Sequence, residues 1–178
     1  MSVSSQEHKA TAPKQLGFDL IVCSTSRYAL AQAGKPVEDP SGDLIVEMLE
    51  SIGHTVVSRV VVADDAKMIL NALNGGLRDE NVQAIVLCGG TGIAPNDVTI
   101  ETVAPILRKT LPGFGEAFRR LSFDSMGSAT ILSRAVAGIA QGKAIFCIPG
   151  SIDAVKLCLG KFILPEAGHI VKHAREES

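Results

Sequence analysis

The sequence predicts an α/β protein: a three-layer α/β/α sandwich around a mostly parallel sheet, with one antiparallel element at its edge. Three observations carry this. Short apolar runs of strand length alternate with helix-period segments, the pattern of successive β-then-α units joined by right-handed crossovers. Residues 84–88 (AIVLC) are apolar throughout, as a central parallel strand buried on both faces must be. Two late strand-like runs are separated only by Gln141-Gly142, a hairpin-type turn that supplies the antiparallel element.

The elements follow in order. Residues 1–15 are polar and aperiodic and read as a flexible N-terminal tail, leaving 16–178 as a single domain. Residues 18–23 (FDLIVC) form a buried strand. Over 41–52, Leu44, Ile45, Met48, Leu49 and Ile52 share one face of a helix, and Gly53 stops it. Residues 55–62 (TVVSRVVV) are a β-branched strand. Asp64 or Asp65 caps the next helix, which runs to about Asn74 and ends at Gly75-Gly76. After strand 84–88, Thr99 caps a helix reaching about Arg108. Pro112-Gly113 breaks the chain, a helix follows around 116–121, and 128–132 make another short one. Strands 134–139 and 143–148 form the hairpin, and a last helical region from Ser151 is interrupted near Pro165.

At 178 residues, with 46% hydrophobic and 20% charged, the chain has the balance of one globular domain with a sizeable core. Lys plus Arg total 17 against 19 Asp plus Glu, with no dense basic run, so a nucleic-acid partner is not expected. No apolar stretch approaches the roughly 18 residues of a membrane span, and the polar first fifteen residues lack the apolar core of a secretory signal. The expectation is a cytoplasmic protein with no membrane partner. Cys23, Cys88, Cys147 and Cys158 lack CxxC or zinc-ribbon spacing and read as buried, structural thiols.

In open parallel sheets ligands bind beyond the carboxyl ends of the strands, so the loops after Cys23, Val62, Cys88 and Ile148 are expected to converge. Gly89-Gly90-Thr91-Gly92 follows a strand directly, and glycines let backbone N–H groups approach a phosphate. It is neither a P-loop, since no GK[ST] exists, nor GxGxxG, since Pro95 takes the third glycine position. Read blandly, it is a tight turn. Asp97 and Asp64 are either turn and capping residues or two acids facing one crevice, where Mg²⁺ would keep several waters and bridge phosphates. Ser41, in Asp39-Pro40-Ser41-Gly42, is a plain N-cap or an anion contact, and Pro149-Gly150-Ser151 carries the same ambiguity. His169 and His173 stand at i,i+4, but HIVKH lacks the glutamate of HExxH, and no GxSxG elbow marks a hydrolase serine.

These motifs, joined by Asp97-Val98-Thr99, Pro112-Gly113-Phe114-Gly115-Glu116 with Phe118-Arg119, and Leu132-Ser133-Arg134, resemble the MogA/MoaB family of molybdenum-cofactor biosynthesis proteins, related to the pterin-binding domains of gephyrin. The resemblance covers about residues 16–165, and the run LSFDSMGSATILSRAVAGIA looks more like the MoaB branch. It implies an α/β/α fold and a homo-oligomer, a trimer or hexamer. The implied activity is molybdopterin adenylyltransferase: Mg-ATP plus molybdopterin gives adenylylated molybdopterin and pyrophosphate, with other enzymes of the pathway as further partners.

The same resemblance implies the site residues. Asp64 and Asp97 align with the two acids held important for the reaction and would hold Mg²⁺. Ser24, Ser26, Asp39, Ser41, Gly42, Gly89, Gly90, Thr91, Gly92, Asn96, Glu116, Ser133, Pro149, Gly150 and Ser151 would bind substrate or nucleotide. Ala63 replaces the common proline before Asp64, and Ser26 stands where many relatives carry an acid or amide. The alternative within the pathway is a non-catalytic molybdopterin binder or carrier. Molybdate insertion, which relatives perform in longer proteins, and the nucleotide-pyrophosphatase-related family, with its GGLG-type loop, fit less well.

Overall fold

The computed structural model describes residues 11–176. Its strands are β1 (Gly17–Cys23), β2 (Thr55–Val62), β3 (Ala84–Cys88), β4 (Lys109–Thr110), β5 (Val136–Ala140) and β6 (Lys143–Ile148). Its helices are α1 (Thr25–Gln32), α2 (Pro40–Glu50), α3 (Ala66–Arg78), α4 (Thr99–Val103), α5 (Pro112–Met126), α6 (Ile152–Cys158) and α7 (Leu164–Arg175). The strands form one sheet in the order β2-β1-β3-β6-β5-β4. The β1–β2, β1–β3 and β3–β6 pairings are parallel, whereas β5 and β4 add antiparallel partners at one edge.

Alternation along the strands divides the core. Phe18, Leu20, Val22, Val86 and Phe146 pack on one face against Ile45 and Leu49 of α2, Phe118 of α5, and Val155 and Val171 of α6 and α7. Ile21, Ile85, Leu87 and Ile145 face the other way, against Ile69, Leu73 and Leu77 of α3 and Val103 of α4. The result is the expected three-layer sandwich. All four cysteines are buried free thiols. Among the described residues no helix is long and apolar enough to cross a membrane.

Several boundaries differ from the sequence-based expectation. α3 does not stop at Gly75-Gly76 but continues to Arg78. A Cβ at Gly76 would lie 2.4 Å from Asp19 Oδ2 and 3.1 Å from Ile85 Cδ1, so that glycine serves close packing of helix on sheet rather than a cap. α4 is one short turn that passes into a 3₁₀ segment at Ala104–Ile106, with Pro105 near its start, instead of a helix to Arg108. α5 is longer than expected because Phe114, Gly115, Phe118 and Ser122 form one buried stripe along it. α6 and α7 are joined by wide π turns over Leu159–Ile163, so the irregularity precedes Pro165, which lies in the first turn of α7. The hairpin turn is as expected: Gln141 and Gly142 have φ of 50° and 72°.

Residues 1–10 of the expected tail lie outside the described residues, as do 177–178. Residues just before β1 lie against α7, where Lys172 Nζ donates to Thr11 Oγ1 at 2.6 Å and the Pro13 carbonyl rests on Gly168.

Candidate functional site

The loops after β1, β2, β3 and β6 meet at the carboxyl ends of the parallel strands and enclose a cavity of about 350 Å³. Its floor is the Gly89–Gly92 loop. Gly89 and Gly90 have φ of 105° and 61°, conformations that L side chains rarely adopt. A Cβ at Gly89 would fall 2.3 Å from the Cys23 carbonyl oxygen.

All four carbonyls of this loop are held from behind. Thr99 Oγ1 donates to Gly89 O at 2.8 Å and Thr99 N to Gly90 O at 3.0 Å. Arg134 donates from Nε to Thr91 O at 2.9 Å and from Nη2 to Gly92 O at 2.5 Å. In contrast, the N–H groups of Gly90, Thr91 and Gly92 donate to no group among the described residues. Carbonyls turned back and N–H groups left over make a cradle for an anion. Thr99, expected as an N-cap, locks this loop instead, and α4 has no side-chain cap.

The two acids flank the cradle. Asp64 Oδ2 accepts from Thr25 N and Thr25 Oγ1, both at 2.8 Å, while Oδ1 faces Gly90, 2.8 Å from where a Cβ would stand. Asp97 Oδ2 accepts from Ala94 N at 2.8 Å and lies against Gly92, where a Cβ would come within 2.6 Å. Each carboxylate is therefore held by one oxygen, and each Oδ1 accepts no hydrogen bond from the described residues. Asp65, not Asp64, caps α3. Asp64 is thereby released from helix capping.

Positive charge enters from Arg27 and Arg134, both lining the cavity. Arg27 Nε donates to Glu38 O at 2.9 Å and lies 3.6 Å from Asp39 Oδ1. The buried Asp39 caps α2 through Gly42 N and is bound by Arg59 at 2.6 Å, so its charge is spent within the protein. The Arg134 guanidinium beside Glu101 holds that carboxyl below its usual range. Desolvation pushes the thiols of Cys23 and Cys88, which line the cavity, up to about 11 and about 12, leaving them neutral and non-nucleophilic at pH 7.

Of the residues singled out from sequence, Ser24, Asp39, Ser41, Asp64, Gly89, Gly90, Thr91, Gly92, Asp97, Ser133, Pro149 and Gly150 line this cavity. Ser24 also caps α1, and Ser41 Oγ donates to Gly150 O at 2.7 Å, tying α2 to the loop after β6. Ser26 lies 3.3 Å from Ser24 Oγ on exposed α1. Ser151 caps α6 and lines a neighbouring cavity that shares Ser133 and Pro149. Gly42, Asn96 and Glu116 are not brought into the cavity. Glu116 is turned outward because Phe114, Gly115 and Phe118 take the buried stripe of α5, and it lines a separate groove with Arg119. Sequence reasoning gave no role to Arg27 or Arg134. Arg27 follows the loop after β1, and Arg134 stands in the Leu132-Ser133-Arg134 motif, the signals that could have marked them.

Residues 20–169 match the family described as the probable molybdopterin binding domain. Molybdenum cofactor biosynthesis protein B of Bacillus subtilis (strain 168) is 42% identical over 176 residues, covering 98% of this chain and 99% of that protein. A molybdopterin adenylyltransferase of Pyrococcus furiosus is 41% identical over 175 residues, covering 96% of this chain and 98% of that one. A crystal structure of a molybdenum cofactor biosynthesis protein B superposes with a TM-score of 0.83 at 39% identity, covering 94% of this chain and all of that one. With the fold, the cradle and nearly full-length similarity in agreement, the chain belongs to the molybdopterin-binding-domain family of molybdenum cofactor biosynthesis proteins.

Proposed function

We propose that this cavity transfers the adenylyl group of ATP to molybdopterin, giving adenylylated molybdopterin and pyrophosphate. The observation that carries the reading is the Gly89–Gly92 loop, with four carbonyls engaged and three N–H groups open, between two half-held carboxylates. A phosphate oxygen of molybdopterin attacks the α-phosphorus of ATP. The new P–O bond forms as the bond to the β-phosphate breaks, and pyrophosphate leaves with that electron pair. A phosphate monoester with a second pKa of about 6 is already mostly dianionic at neutral pH, so the step needs alignment and charge stabilisation more than a general base. The neutral Cys23 and Cys88 thiols fit this division of labour.

The open N–H groups of Gly90, Thr91 and Gly92 bind phosphate oxygens and orient the α-phosphorus. Arg27 and Arg134 add positive charge beside them. The donor set suits Mg²⁺. Among the described residues no group of three or more acidic, histidine or cysteine side chains gathers as a closed metal cage. Two carboxylates each offering one oxygen are what an ion that keeps its waters and bridges phosphates uses. Asp64 and Asp97 would hold the ion, which when bound neutralises phosphate charge. Ser24, Ser133, Pro149 and Gly150 line the remaining wall, available to the pterin substrate.

The protein works in the cytoplasm as a homo-oligomer, a trimer or hexamer, alongside other enzymes of the pathway. The exposed apolar side chains of Leu121, Phe123, Met126, Ile131 and Leu132 support assembly, since they crowd the end of α5 and the 3₁₀ helix Gly127–Leu132 that follows it. The test of function is pyrophosphate release from Mg-ATP with and without molybdopterin. Release that requires molybdopterin is expected. Tight molybdopterin binding with no pyrophosphate would identify a carrier instead.

A further inference from the structure

We propose that a second cavity, between edge strand β2 and helix α3, binds a small organic cation of the amidine or guanidine class, with Asp19 as its anchor. The cavity measures about 420 Å³, a size suited to a small molecule, and shares no lining residue with the one above the Gly89–Gly92 loop. Asp19 lines it and is only 4% exposed. Its Oδ1 is buried and has no hydrogen-bond partner among the described residues. A buried acceptor left without a donor costs its full desolvation, so it is retained where a donor arrives from elsewhere.

The local fold brings this carboxylate to the cavity. β1 and β2 slip register between Phe18 and Asp19, with Phe18 opposite Val56 and Asp19 opposite Ser58. Val57 is the extra residue of this bulge, and the slip sets Asp19 beside Ser58 on the cavity wall. The facing wall is α3, with Gly75 and Gly76. Gly76 clears space for the Asp19 carboxylate, whereas a Cβ at Gly75 would meet nothing within 4 Å. Glycine inside a helix costs stability relative to alanine, and at Gly75 its effect is to leave the cavity open.

The lining selects the ligand. It holds two carboxylates, Asp19 and Asp79, and no lysine, arginine or histidine. Asp79 Oδ1 is taken by Asn81, through N at 2.9 Å and Nδ2 at 3.1 Å. Lys143 adds positive charge near Asp19, but its Nζ donates to the carbonyls of Gly76 and Asp79 rather than to the carboxylate. Val60, Val62, Met68, Ala72 and Val82 make most of the remaining wall apolar. A cationic head on an apolar body matches both parts. A carboxylate accepts a planar fork of N–H donors, and the broad χ2 torsion of aspartate lets Oδ1 turn toward it. Desolvation pushes the Asp19 carboxyl above its usual range, against the nearby Ser58 hydroxyl, and a bound cation offsets that cost. A metal ion fits less well, because no third acidic, histidine or cysteine side chain gathers here among the described residues.

The test titrates the full chain with benzamidine and follows binding by calorimetry. Saturable binding of one benzamidine per chain is expected, with a Kd below about 1 mM. Benzyl alcohol, of similar shape but uncharged, should bind at least about tenfold more weakly. Asp19→Asn should weaken benzamidine binding about tenfold or more, with the fold retained by circular dichroism. Gly75→Leu fills the cavity from a position with open space around it, and should abolish binding with no loss of thermal stability. This variant keeps the test decisive if Asp19→Asn fails to fold. Absence of saturable binding to the wild type would overturn the proposal. Equal binding in wild type and Gly75→Leu would place the probe elsewhere and overturn it as well. A changed oligomeric state of Asp19→Asn, read by light scattering, would identify the occupant as a side chain of a neighbouring copy, against the proposal. None of these readouts depends on adenylyl transfer, so the two readings fail separately.

Discussion

Arg134 grips the Gly89–Gly92 loop from outside, its Nε 2.9 Å from the Thr91 carbonyl and its Nη2 on that of Gly92. Glu101 binds the remaining edge of the guanidinium, so the fork is held on two sides. The contact spans 43 residues of sequence and sets the direction in which the loop's N–H groups point. Arg134→Met is expected to lower kcat/KM for adenylyl transfer about 10- to 100-fold, a loss of about 1.4–2.7 kcal/mol of transition-state stabilisation, with the fold retained. Lysine cannot reproduce the fork, so Arg134→Lys should recover little. Steady-state kinetics with circular dichroism on both variants checks this.

Asp97→Asn and Asp64→Asn are expected to abolish adenylyl transfer, because each replaces the open Oδ1 or its charge with little change in volume. The amide oxygen can still accept from Ala94 N or Thr25 N, so thermal midpoints should stay within a few degrees of wild type. Activity near wild type in both variants, with magnesium still required, would rule out the assigned role.

Gly90→Ala is expected to eliminate activity and to cost stability. Its Cβ would stand 2.5 Å from Thr99 Oγ1 and 2.8 Å from Asp64 Oδ1, at a φ of 61°. The disturbance therefore reaches one loop anchor and one acid together. Backbone strain alone is worth about 1–3 kcal/mol, readable as a lower urea midpoint.

Stability should fall with pH through the histidine range because of His54. The ring is buried beside Phe18, and Nδ1 accepts from Leu16 N at 3.2 Å. Burial holds its pKa below the ordinary value. The neutral ring's contribution is therefore complete above the unfolded value of about 6.5 and is lost as pH falls through it toward the lower folded value. Urea unfolding of wild type between pH 7.5 and 5.5 should show this decline, and His54→Phe should flatten it. Glu101, lowered by Arg134, acts only further down, through the carboxylate range.

The layered fold was legible because its signals are local. β2 falls on the predicted residues 55–62 and β3 on 84–88, since β-branched or wholly apolar runs admit few other readings. The convergence of four loops followed from the parallel order alone. Where sequence reasoning failed, a distant partner decided. Gly76 looked like a helix stop until Asp19 and Ile85 occupied the space of its missing side chain. Thr99 looked like a cap but bonds to Gly89, ten residues back. α1 (TSRYALAQ) was not foreseen because none of its residues is buried and no apolar stripe marks it. Within the site the glycines and acids were visible as strand-end residues. The guanidinium that aims them was not, because its partners lie on another strand's loop.

The most direct measurement is a crystal structure grown with Mg²⁺ and a non-hydrolysable ATP analogue. Phosphate density is expected against the N–H groups of Gly90, Thr91 and Gly92, with the ion beside Asp64 and Asp97. Nucleotide bound away from the Gly89–Gly92 loop would contradict it.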